Sequence, residues 1–296
     1  MMRNSAVIEP GSALIAMNDT LMTINDREFE QMRRLIYDRF GINLTEQKRS
    51  LLVGRLQKMI RDCGFGSFGD YYDALVNEPG ETGLSELIDR VSTNHTYFNR
   101  EKDHFDYLLQ KALPAVTSAL EKSNRRDLRI WCAGCSSGEE AYMLLILLQE
   151  FFGAGYGRWQ AGLLATDISL RALATAREGI YSQDRLAALP PEWRNKYFRQ
   201  IGPDRWQVSD KLRQDATIRR LNLMNPQFPF KQPFQIIFCR NVMIYFDAPT
   251  RDALVGKFHR ALEPGGYLFI GHSETLGREQ TLFRYLQPAA YRKESR

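Results

Sequence analysis

Residues 128–148, LRIWCAGCSSGEEAYMLLILL, confine this chain to a narrow set of folds. Leu128, Ile130 and Trp131 form a short apolar run suited to a strand buried on both faces. Gly134 and Gly138 let the backbone turn sharply and come close to a ligand. A helix from Glu139 to near Phe152 then aims its first free N–H groups into that turn. Glu139 and Glu140 at the helix start argue against a bound pyrophosphate and favour a cationic or hydroxyl-rich ligand. A tight connection without a ligand is the plainer reading, and the glycine turn alone does not separate the two.

Further strands follow at the expected spacing. Residues 162–166 end in Asp167, where open α/β sheets hold ribose hydroxyls, and a helix runs on through Leu170, Leu173 and Ala176. Asp167 could equally cap that helix, and the two roles are compatible. Strands at 218–222, 234–239 and 266–270, with a helix over 253–262, complete the alternation. A doubly wound α/β domain is expected, with helices on both faces and a crevice at the strands' carboxyl ends. Asp167, Asn222, Arg240 and Asn241 all fall there.

The first third of the chain is different. Asn25 with Glu28 resembles a capping box, and Phe29, Met32, Ile36 and Phe40 keep helical spacing until Gly41. A second helix from Thr45 buries Leu52, Leu56 and Ile60 and carries Lys48, Arg49, Arg55, Lys58 and Arg61 on its other faces. Residues 68–76 and 84–91 make two more short helices. The basic face is either solvated or docks on an acidic partner helix. This divides the chain into a flexible tail (1–23), an all-α N-terminal domain (24–93) and an α/β domain (94–296).

Composition excludes more than it assigns. The chain has 296 residues, is 44% hydrophobic and carries a formal charge of +5, values of an ordinary globular protein with a mildly anionic partner preference. Residues 1–20 are interrupted by Glu9, Pro10 and Asp19 and do not suit a signal peptide, so a cytoplasmic protein with no membrane insertion is expected. Its four cysteines should be reduced, Cys63 and Cys239 as buried thiols. The W-C-x-x-C at 131–135 matches a redox signature, but the neighbouring acids would raise a thiol pKa. With four scattered histidines and no second ligand pair, no metal is expected.

Five segments together carry a family resemblance: STNHTYFNRE (92–101), AGCSSGEEAY (133–142), ATDI (165–168), FCRNVMIYF (238–246) and GHSE (271–274). The chain resembles the CheR-type chemoreceptor glutamate O-methyltransferases from about Phe29 to Tyr291. C-R-N-V-M-I-Y-F is far more specific than the glycine turn. Ala141 replaces a usual proline, Asn99 a common aromatic and Ser137 a threonine.

The resemblance implies a Rossmann-like S-adenosylmethionine-dependent methyltransferase domain with a small antiparallel β subdomain at about 181–214. Asn94, Thr96, Arg100, Glu140, Asp167, Asn222, Leu223, Arg240 and Asn241 would line the cofactor site, with S-adenosylhomocysteine as product. Asp167 should accept from the ribose hydroxyls, Asn222 and Leu223 flank the adenine, and Glu140 favour the cationic end. Arg100 and Tyr245 are the expected catalytic residues. Arg100 would pair with either the methionyl or the substrate carboxylate, and Tyr245 would face the substrate carboxylate or the methyl group. Arg55, Lys58 and Arg61 would dock on the cytoplasmic methylation region of a chemoreceptor. Family members that capture a C-terminal tethering pentapeptide carry a longer, glycine-bearing hairpin loop, whereas Gly202-Pro203-Asp204 makes a compact turn here, so no tether is expected.

Two rivals remain. A nucleic-acid methyltransferase would share the sheet, and Asn225-Pro226-Gln227-Phe228 mimics its N-P-P-F motif, but one strand too early, so no nucleic acid is expected. A non-catalytic cofactor-binding adaptor is the other. His272-Ser273-Glu274 are consecutive and cannot form a hydrolytic triad among themselves.

Overall fold

The computed structural model describes residues 22–77, 82–276 and 281–294. Most of the expected tail, 1–23, lies outside them. Helix α1 (Asp26–Phe40) has the reciprocal capping box, with Glu28 N donating to Asn25 Oδ1 and Asn25 N to Glu28 Oε2, both at 2.9 Å. Such a cap contributes about 1 kcal/mol. Gly41 ends the helix at φ 70°, where its N–H reaches Tyr37 O. Helices α2 (Arg49–Asp62), α3 (Phe68–Asn77) and α4 (Thr82–Val91) complete the domain, α3 packing on α1 and α4 on α2 around a shared core that includes Met32, Ile36, Leu56, Ile60, Leu87 and Ile88.

A helical segment that the hydrophobic pattern did not reveal follows: α5 (Lys102–Tyr107), a π turn over Leu108–Ala112, and α6 (Leu113–Lys122). Pro114, which has no N–H to give, sits just after the widened turn. Then come β1 (Asp127–Ala133), α7 (Glu139–Phe152), β2 (Gln160–Asp167) and α8 (Leu170–Glu178). β3 (Ile180–Tyr181), α9 (Pro191–Tyr197), β4 (Phe198–Gly202), β5 (Arg205–Val208) and α10 (Asp210–Asp215) build the small subdomain, whose antiparallel sheet has the order β3-β5-β4.

The chain closes with β6 (Ala216–Arg220), β7 (Phe234–Cys239), α11 (Ala248–Ala261), β8 (Leu262–Ile270), β9 (Phe283–Gln287) and β10 (Ala290–Lys293). The main sheet has the order β6-β2-β1-β7-β8-β10-β9. Its first five strands are parallel, and β10 and β9 add an antiparallel edge that the sequence pattern does not reveal. The order reverses between β1 and β7, which places the crevice beyond their carboxyl ends.

Trp131 anchors the sheet from one face. It is fully buried, donates from Nε1 to Thr166 Oγ1 at 2.8 Å, and meets Phe228, Phe230, Phe234 and Phe258. The N-P-Q-F look-alike therefore supplies core packing, since Phe228 lies edge-on to Trp131 with ring centroids 4.9 Å apart. Cys132, Cys135 and Cys239 are buried free thiols whose pKa burial pushes well up. Cys63 departs from expectation, being exposed just past the end of α2.

The helical domain grips the α/β domain through several hydrogen bonds, Arg171 Nη2 donating to Asp89 O at 3.1 Å among them. Tyr37 Oη donates to Asp247 Oδ2 at 2.9 Å, Asn43 N to Tyr245 O at 2.8 Å, and Asn222 Nδ2 to Arg39 O at 2.8 Å.

Candidate active site

The loops after β1 and β7 are bent by backbone conformations that L-residues rarely adopt. Ser136 has φ 49° and Gly134 φ 83° in one loop, Asn241 φ 58° in the other, and Asn99 and Glu101 beside them have φ 60° and 54°. Gly134 lines the resulting cavity, and a Cβ there would meet Val242 Cγ2 at 2.3 Å. Gly138 serves packing instead, because its Cβ would meet Ala176 Cβ and Tyr181 Oη, both at 2.9 Å.

The cavity measures about 290 Å³. It brings together Asn94, Thr96, Arg100, Glu140, Asp167, Asn222, Leu223, Arg240, Asn241 and Tyr245. Lys48, Leu51 and Arg55 of the helical domain complete its wall. Lys58 and Arg61 do not line it and lie exposed along α2.

Asp167 ends β2 nearly buried. Its Oδ2 accepts Ser136 N at 2.8 Å and its Oδ1 accepts Ser169 N at 2.9 Å. Burial raises its pKa, opposed by these backbone donors. Each oxygen has a second lone pair for a ligand hydroxyl. The capping role falls to Ser169, whose Oγ accepts Ala172 N at 3.0 Å.

Arg240 sits at the end of β7 with its guanidinium 1% exposed. It pairs with Glu140 at 2.9 Å and Glu101 at 3.2 Å, and also donates to Arg100 O. Glu140, which the sequence suggests as a counter-charge for a cationic ligand, is thus already tied to Arg240 and also accepts Cys132 Sγ at 3.2 Å. The cluster still holds two carboxylates to one guanidinium. Glu139 points elsewhere, buried against Arg185 and accepting Ser137 Oγ at 2.8 Å. Asn222 Oδ1 accepts Met224 N at 2.9 Å, and Lys257 Nζ holds the same loop through the carbonyls of Leu223 and Asn225.

Arg100 is half-buried. Its Nη1 donates to His95 O at 2.8 Å, its guanidinium lies 5.9 Å from the Tyr97 ring centroid, and among the described residues it meets no carboxylate. Arg55 corrects an expectation: it turns inward, donating to Val91 O and, at 2.7 Å, to Thr93 Oγ1. It therefore braces the interdomain connection at the cavity wall instead of standing on an open docking face.

Three residues to which the sequence gives no site role cluster at this end of the sheet. Glu101 receives Arg240, Asn241 Nδ2 at 3.2 Å and His272 N at 3.3 Å. Glu274 receives the backbone N–H groups of Asn241 at 3.0 Å, Ile244 at 3.2 Å and Gly271 at 2.5 Å. His104 is fully buried with no hydrogen bond to either ring nitrogen.

The histidines are less scattered than expected. His104 and His272 meet with ring centroids 4.5 Å apart, and with Glu101 their ligand atoms fall within 4.8 Å of one another. A dication there would compete with the donors already on Glu101 and face the Arg240 guanidinium, so the trio is a poor metal site. Burial lowers the His104 pKa from 6.5 to about 4. The unfolded chain therefore binds a proton that the folded one refuses between those values, and stability should fall as pH drops from about 6.5 toward 4. Urea unfolding should show a loss of about 2–3 kcal/mol over that window, most of it absent in His104→Phe.

The residues fit S-adenosylmethionine. Asp167 and Glu140 against the single guanidinium of Arg240 leave one carboxylate in excess on that part of the wall, suiting an ammonium and a sulfonium, and Asp167 offers acceptors for two ribose hydroxyls. The more exposed lining side chains Lys48, Arg55 and Arg100 are cationic and suit a substrate carboxylate.

Fold and cavity define an S-adenosylmethionine-dependent methyltransferase. Comparison with known proteins narrows the class. Residues 94–291 match the model for "CheR methyltransferase, SAM binding domain" and residues 27–92 that for "CheR methyltransferase, all-alpha domain". The chain belongs to the CheR methyltransferase family. It is 44% identical over 272 residues to a "Chemotaxis protein methyltransferase" of Borreliella burgdorferi, covering 92% of this chain and 96% of that one. A "Probable chemotaxis protein methyltransferase" of Rhizobium etli is 37% identical over 83% of this chain and 91% of its own. The Escherichia coli "Chemotaxis protein methyltransferase" is 34% identical over 92% of each.

Proposed function

We propose that this protein methylates glutamate side chains of chemoreceptors, forming methyl esters that tune sensory output. The observation that carries the reading is the guanidinium of Arg100, which meets no carboxylate among the described residues, in the same cavity as Asp167 and Tyr245. A substrate glutamate is ionised at neutral pH and needs no general base. S-adenosylmethionine supplies an electrophilic methyl group. With it bound, the glutamate oxygen would take the methyl group, the carbon–sulfur electron pair would stay on sulfur, and no proton would need to move.

The chain's own residues hold the carboxylate in line and keep water out, because water would stabilise the separated charges more than the transition state in which they are being cancelled. Arg100 and Tyr245 hold the substrate carboxylate, and Asp167, Asn222 and Leu223 hold the nucleoside. Base-labile methyl label on receptor protein supports the ester. Label on nucleic acid, or none, would support the rivals. Tyr245→Phe should lower turnover roughly 10-fold, on the order of one lost hydrogen bond to a charged group, with S-adenosylhomocysteine affinity nearly unchanged. Equal losses in both would move Tyr245 to the cofactor. Arg100→Ala should likewise lower turnover with that affinity kept, and a loss of affinity would assign Arg100 to the methionyl carboxylate instead.

The acidic methylation region of a receptor is the partner, met by the exposed Lys58 and Arg61 on α2, with Arg55 acting from the cavity wall. Among the described residues no helix is long and apolar enough to cross a membrane, and we place the protein in the cytoplasm, at the receptors' signalling end. Nucleic acid is not a substrate in this reading. The β4–β5 hairpin closes directly through Gly202, Pro203 and Asp204, with Asp204 Oδ1 accepting Gln183 N at 2.7 Å. This compact turn supports methylation without a tethering peptide. Calorimetric titration with a receptor C-terminal pentapeptide should give no heat, and saturable micromolar binding would overturn that part of the reading.

A further inference from the structure

Glu274 does not line the site cavity, yet three backbone donors converge on its buried carboxylate. Gly271 N lies just past the end of β8, while Asn241 N and Ile244 N belong to the turn after β7, so one side chain ties together the loops of two neighbouring strands. The turn it grips needs holding. Asn241 has φ 58°, an unfavourable conformation for a residue with a Cβ, and Met243–Tyr245 form a single 3₁₀ turn. Gly271 converges on the same point from the other side, since a Cβ there would meet Asn241 Nδ2 at 2.5 Å and Asn241 N at 2.8 Å.

We infer that Glu274 is a positioning residue for methyl transfer, fixing the strained 241–245 turn so that Tyr245 is presented to the reacting carboxylate. The inference rests on the function proposed above. A carboxylate is the right group for the task, because it has four lone-pair sites and no proton of its own to set against an N–H. Glutamine keeps the shape but turns an amide toward donors. Glu274 acts through Tyr245, so removing both cannot cost much more than removing one.

Two measurements test this. Hydrogen exchange of a peptide spanning 240–247 should quicken at least 10-fold in Glu274→Gln, and this readout needs no substrate. Unchanged exchange would overturn the inference even if the proposed reaction were wrong. In a methylation assay run well below the melting temperature, Glu274→Gln and Tyr245→Phe should each lower kcat about 10-fold, and the double variant should lie within about 3-fold of the weaker single one. Losses that multiply toward 100-fold would mean that Glu274 merely stabilises the fold. Gly271→Ala, which presses on Asn241 from the opposite side, should reproduce the kcat loss with the carboxylate intact, and full activity in that variant would also count against the inference.

Discussion

Replacing Asp167 with alanine is expected to weaken S-adenosylmethionine and S-adenosylhomocysteine binding equally, by about 3 kcal/mol or roughly 100-fold. Both molecules carry the same ribose hydroxyls, and a hydrogen bond to a charged acceptor contributes about 1.5–3 kcal/mol. The structure adds a second consequence. The carboxylate also receives Ser136 N and Ser169 N, so its loss leaves two nearly buried donors without an acceptor and frees the strained Ser136 turn. Asp167→Asn, which can still accept one of them, should fall between alanine and the native protein. Titration calorimetry on folded variants decides the matter: unchanged affinity in Asp167→Ala would falsify the ribose assignment.

Arg240→Ala should destabilise the protein strongly. The guanidinium is almost wholly buried between Glu101 and Glu140. Without it, two carboxylates face each other in a poorly solvated pocket, a situation that costs about 3–5 kcal/mol. The melting temperature should fall on the order of 10 °C. Lysine should restore only part, since one ammonium cannot reach Glu101, Glu140 and the Arg100 carbonyl as the planar fork does. A variant that melts as the native protein does would mean that the two acids are solvated or protonated in its absence.

Much of the fold was legible because it repeats. Strand β7 reads directly from FQIIFC, and α7 from the glycine turn and the apolar run after Glu140. The cavity residues were legible through whole motifs, because Arg240-Asn241 and Asp167 occupy strand ends that topology brings together. What stayed hidden has no local signature. Glu101 acts on residues 139 and 140 positions away, and Glu274 grips mostly backbone N–H groups, which leave no periodicity. Arg55 looked like one more exposed basic residue on α2, because the Val91 carbonyl that captures it lies 36 positions further on. The antiparallel edge escaped because β9 and β10 are short and their arginines and tyrosines alternate with few apolar neighbours.

The bonds between the two domains have a bearing on how the chain can be divided. Asn43 holds the carbonyl of Tyr245, Arg39 accepts from Asn222, and Tyr37 reaches Asp247, while Phe40, Ile42 and Leu44 form part of the cavity wall. A fragment beginning at residue 94 would keep every residue of the sheet yet lose one side of its ligand chamber and the anchors of two site loops. The helical segment is thus a wall of the reaction vessel as well as a handle for the substrate, and grafting it from a relative would change cofactor affinity along with substrate choice.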